Sequence, residues 1–171
     1  GDVDSSDNVL TLTRARLPWL LIGLLGGILG ARVIELYEGD LQLYPEMVFF
    51  IPLIAAMGGN AGVQSSAIIV QGLATKSMGM SGILPKLGKE FMVGLLNGLV
   101  CAVIIFGYNM IFGDSLALSY TVSLALLSVI IIATLFGTFV PLILDKYDID
   151  PALATGPFIT TVNDVLGLFI Y

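Results

Sequence analysis

Five near-uncharged apolar runs, about 20 residues each and separated by short polar connectors, constrain this chain more than any motif in it: Leu17–Leu36, Met47–Gln71, Glu90–Phe112, Val122–Leu144, and a last run from about Pro151 to Tyr171. A helix of about 20 residues rises about 30 Å, the thickness of a bilayer's hydrocarbon core. Inside that core no water satisfies the backbone, so such runs are expected to be helices. The fold class expected is therefore an all-α membrane protein with five transmembrane helices. Composition agrees: 57% of the 171 residues are hydrophobic and 12% charged, against about 25% charged in soluble domains. No room remains for a separate soluble domain. The expected division is a polar segment, 1–16, and a transmembrane domain, 17–171.

Several function classes fall away early. A net charge of -6 and the lack of any basic run disfavour nucleic acid. There is no His and only one Cys, Cys101, so no Ser-His pair, no His-bound metal and no internal disulfide can form. An intramembrane aspartyl protease needs two cooperating carboxylates, and the apolar interior supplies one. An enzyme is not expected.

Residues 1–13 are polar and acidic, with no apolar stretch of the signal-peptide type. Arg14, Arg16, Pro18 and Trp19 lead into the first span. Gly23, Gly26, Gly27 and Gly30 form a small-residue stripe suited to helix packing, and Arg32 with Glu35 has the spacing of a local ion pair. In the second span Pro52, Gly58, Gly59 and Gly62 predict a broken or distorted helix or, as the alternative, Gly-mediated packing with interhelical hydrogen bonds, and Asn60 and Gln64 lie one turn apart on one face. Glu90, at the entrance of the third span, and Asn97 within it are secondary candidates for ion contact. The fourth span, with its scattered Ser and Thr, reads as packing and lipid-facing surface. Six of the seven basic residues fall before span one, between two and three, or between four and five. The positive-inside rule then puts the N-terminus in the cytoplasm and, after five spans, the C-terminus outside.

Asp164 is the costliest residue in the chain. A charge at bilayer depth costs about 2.5 to 3.5 kcal/mol on insertion scales, so such residues usually face a bundle interior or a wet path. Starting from Ala152, Asp164 lies about 18 Å into its helix, near the midplane, at a depth similar to that of Asn60. Thr160 and Thr161 precede it by one turn and share its face. Oxygen-only linings of this type suit hard cations such as Mg2+ and Ca2+.

The segments Gly58-Gly59-Asn60-Ala61-Gly62-Val63-Gln64, Gly72-Leu73-Ala74-Thr75-Lys76, Asp150-Pro151-Ala152 and Thr161-Val162-Asn163-Asp164-Val165-Leu166-Gly167 follow one another in an order that resembles the transmembrane domain of the MgtE family. That resemblance implies Mg2+ as the substrate ion, a location in the cell (inner or plasma) membrane, and a homodimer with the ion path between its subunits. It also implies that Asp164 is the pore aspartate, that the Thr160 carbonyl faces the ion, and that the segment around Gly59, Asn60 and Gln64, with Asn163 and Gly156, lines the path. Val63 and Gly156 stand where some members carry a further Asn, so fewer polar contacts are expected. Family members commonly carry cytosolic magnesium-sensing domains ahead of the first span. Residues 1–16 read as a remnant of the connecting helix or as an artificial end. The rival readings are a sodium- or proton-coupled exchanger, for Mg2+ or another substrate, and a passive assembly subunit.

Overall fold

The computed structural model describes residues 8–74, 83–113, 115–147 and 167–171. Within them are five α-helices: α1 (Val9–Leu36), α2 (Glu38–Leu43), α3 (Ile51–Ala74), α4 (Ile83–Phe112) and α5 (Leu116–Lys146), with a 3-10 helix, Pro45–Phe50, leading into α3. Four helical stretches among the described residues are long and apolar enough to cross a membrane: Val9–Leu36, Pro45–Gly72, Leu84–Phe112 and Leu116–Lys146. The fifth expected span falls mostly on residues 148–166, outside the described residues. Residues 167–170 are helical.

Helix ends depart from the sequence reading in consistent ways. α1 begins at Val9, inside the segment expected to be polar, because the Asn8 side chain accepts from the Thr11 backbone N–H at 2.9 Å and caps the helix. α5 begins at Leu116, where Ser115 accepts from Leu118 N–H. α4 begins at Ile83, seven residues before Glu90. Capping and helix propensity extend a helix beyond its apolar stripe, so hydropathy alone sets these ends short.

The expected break at Gly58–Gly62 does not occur: α3 is continuous from Ile51 to Ala74. Pro52 is the second residue of α3, in the first turn, where a missing N–H breaks no helical bond. The irregularity lies instead at the entry, as the 3-10 turn Pro45–Phe50. The glycines serve close approach. A Cβ built on Gly137 of α5 would stand 2.3 Å from the Gly62 carbonyl oxygen, so these backbones nearly touch.

α5 is the central helix, packed between α3 and α4, and it carries most of the buried side chains. The fourth span is therefore the core of the bundle and not mainly lipid-facing surface. Ile54 of α3 meets Ala125, Leu126, Val129 and Ile130 of α5, with Cys101 and Ile105 of α4 against them. Two buried hydroxyls of α5 are satisfied within the helix, Ser119 donating to Ser115 O and Thr138 to Thr134 O, each one turn back, whereas Ser123 Oγ is buried with no partner among the described residues. The outer face of α4, including Leu96, Val103 and Ile111, is exposed and apolar, as a lipid-facing surface requires.

α1 stands apart from this core. Its Gly stripe is half used: Gly26 and Gly30 are buried, with Leu168 3.1 Å from a Cβ at Gly30, whereas Gly23 and Gly27 meet open space. Residues 167–171 join α1 to the bundle. Phe169 packs edge-on against Tyr37, a Cβ at Gly167 would touch Ile54 and Val129, and Ile170 and Tyr171 rest on the core. The Tyr171 hydroxyl donates to the Met47 carbonyl. Removing it in Tyr171→Phe is expected to cost about 1 kcal/mol, read as a lower melting temperature of the purified protein; an unchanged melt would show the bond contributes nothing. The Arg32–Glu35 ion pair forms as the spacing predicts, at 2.8 Å and well exposed.

Candidate ion path

α3 has two unlike faces. Ile54, Gly58, Gly62, Ser65, Ser66 and Ile69 are buried. Asn60 and Gln64, one turn apart as the spacing predicts, are exposed on the other side, and Gln71 continues their row. With a rise of 1.5 Å per residue, Asn60 lies about 14 Å and Gln64 about 20 Å along a helix about 36 Å long. An amide at that depth facing hydrocarbon would cost several kcal/mol, so this face belongs against a polar surface or water. Gly59, half-buried, lies beside the row. Gln71 was legible in principle, since it follows Gln64 by two turns, but it stands near the connector and draws no notice from hydropathy.

Asp164, Thr160, Thr161, Asn163 and Gly156 lie outside the described residues. Of the secondary candidates, Asn97 is exposed on α4. Glu90 is half-buried inside α4 rather than at its entrance, and it accepts a hydrogen bond from Ser65 Oγ of α3 at 3.3 Å. Ser65 lies about 14 Å from the end of α3 and Glu90 about 10 Å from the start of α4, so the bond joins the helices below their connector. Nothing in the sequence singled out Ser65, because its partner is 25 residues away. Among the described residues no three His, Cys, Asp or Glu side chains gather into a metal-holding group. The described part of the site is thus an amide row with a separate Ser–Glu contact.

Relatives supply the context for that arrangement. The chain is 38% identical over 156 residues to the magnesium transporter MgtE of Bacillus subtilis, covering 91% of this chain and 35% of the relative. It is 36% identical over 166 residues to MgtE of Enterococcus faecalis, covering 97% and 37%. It is 33% identical over 177 residues to MgtE of Thermus thermophilus, covering 100% and 39%. The chain thus spans little more than a third of the length of these curated relatives. A family model described as "Divalent cation transporter" matches residues 51–171, which takes in all of α3, α4 and α5, the amide row and the Asp164 segment. With its apolar helices, its amide-faced α3 and this match over most of its length, the chain belongs to the MgtE family of divalent cation transporters.

Proposed function

We propose that the chain forms the membrane conduit of a divalent-cation transporter with Mg2+ as its principal substrate, two copies enclosing the path. The observation that carries this reading is the row Asn60–Gln64, turned away from α5 on a helix whose opposite face is packed. Two such rows facing each other across a two-fold axis would give amides a polar surface at bilayer depth. Asp164, with Thr160 and Thr161 on its face and Asn163 and Gly156 near it in sequence, supplies the charge. Mg2+ sheds water reluctantly and is usually held by one or two carboxylates with several waters retained. Two Asp164 side chains beside one hydrated ion fit that chemistry, and outer-sphere contact keeps the site weak enough for release. The distribution of basic residues orients the N-terminus to the cytoplasm and the C-terminus outside.

Mg2+ binding is tested by the melting of purified protein. A ligand at 100 times its Kd stabilises by about 2.7 kcal/mol, so Mg2+ is expected to raise the melting temperature, with Na+ at matched ionic strength giving no such rise. Equal shifts from Na+ and Mg2+ would overturn the assignment of the substrate class. Uptake into proteoliposomes with and without a sodium or proton gradient separates passive conduction from coupled exchange.

A further inference from the structure

A cavity of about 330 Å³ opens beside α2, where α1 ends and the entry to α3 begins. Tyr37, Tyr44 and Tyr171 ring it, aliphatic side chains including Leu41 and Leu168 line it, and Asp40 is the one charged residue in its lining among the described residues. Small-molecule sites have this size and this balance of many apolar walls to few polar groups. We propose that the cavity binds a membrane lipid whose head group carries an ammonium.

Three observations select that occupant. A carboxylate with aromatic rings around it attracts an organic cation, through charge-assisted hydrogen bonding and the negative faces of the rings. The surrounding connector, residues 37–46, adds Glu38 and Glu46 and contains no Lys or Arg, so an anionic head group finds no local counter-charge there. The cavity lies at the end of a membrane helix whose flank exposes Leu29 and Leu36, with the one basic residue between them, Arg32, already paired to Glu35. An acyl chain can lie along that flank while the head group enters between the tyrosines; Tyr37 follows directly on the end of the apolar α1, and interfacial rings concentrate at such span ends. The lipid would also touch Tyr171, whose hydroxyl ties the C-terminal residues to Met47, and so brace α1 against the entry to α3.

The test uses the full chain in neutral detergent, with native mass spectrometry of bound phosphatidylethanolamine and phosphatidylglycerol of identical acyl chains. The wild type is expected to retain the ethanolamine lipid about fivefold better, a difference of about 1 kcal/mol. Asp40→Asn is expected to bring that ratio near one, with melting unchanged in lipid-free detergent. Leu41→Trp, which fills the cavity, is expected to lower retention of both lipids. Equal retention by the wild type, or a preference that survives both substitutions, would overturn the proposal. So would efficient cross-linking of Leu41→Cys between two copies that added ethanolamine lipid does not slow, because a second chain would then occupy the place assigned to lipid.

Discussion

Replacing Asp164 with Asn is expected to reduce divalent-cation uptake by proteoliposomes to the level of protein-free vesicles, while leaving the protein folded. The two halves of this expectation have the same cause. On the proposed placement of Asp164 at bilayer depth, its charge would cost the fold about 2.5 to 3.5 kcal/mol on insertion scales, so neutralising it would leave the melting temperature equal or higher. For the ion the change is opposite in sign. Mg2+ surrounded by retained water is attracted by full charges, and an amide offers only a dipole to the outer sphere. Two copies around one axis would lose two charges at once. Asp164→Glu keeps the charge but extends the side chain by one methylene, and it should retain part of the flux. Full uptake by Asp164→Asn would remove the carboxylate from the transport path, whereas loss of folding would reassign it to structure.

The second large effect is expected at Gly137→Ala. The added Cβ would stand 2.3 Å from the Gly62 carbonyl oxygen and 3.0 Å from the Gly62 carbonyl carbon and Cα. Backbone cannot rotate away as a side-chain tip can, so α3 and α5 must separate. Overpacking of this type costs about 1 to 3 kcal/mol. Because α5 also holds α4, the loss should appear as a clear fall in melting temperature. Transport should fall with it, since moving α3 moves Asn60 and Gln64. Two substitutions act as controls. At Gly98 the nearest atom is Leu127 Cδ1, 2.8 Å away at the end of a flexible side chain, so Gly98→Ala should be milder. At Gly107 a Cβ meets open space, and Ala there should be neutral or stabilise by up to about 1 kcal/mol through helix propensity. Similar losses at all three positions would show that the Gly62–Gly137 contact has no special weight.

Legibility divided along physical lines. The apolar runs announced the helices because hydrocarbon solvent leaves the backbone no alternative to internal hydrogen bonding. Asn60 and Gln64 were readable as a pair because helical spacing puts residues four apart on one face, and α3 indeed presents both on one exposed side. The Arg32–Glu35 pair was readable for the same local reason. Three readings were decided where local sequence is silent. Gly58–Gly62 looked like a break with close packing as the alternative, and α3 is continuous with α5 packed on Gly62. The fourth span read as packing and lipid-facing surface, and packing dominates, because small and hydroxylated residues let α5 occupy the crowded centre. Glu90 looked solvated at a helix entrance, yet α4 starts two turns earlier and Ser65 meets it from another helix.

The sequence by itself determined the four long apolar helices among the described residues and which of their residues share a helix face. These follow from solvent and from helix geometry, both set within a few turns of chain. Only the tertiary structure decided that α5 is the centre, that α1 is held through residues 167–171, and which face of α3 stays open. Those depend on which helices approach closely. That choice is made by shape complementarity between segments far apart in the chain, at contacts such as Gly62 on Gly137, where a local stripe of small residues permits close approach but does not name the partner.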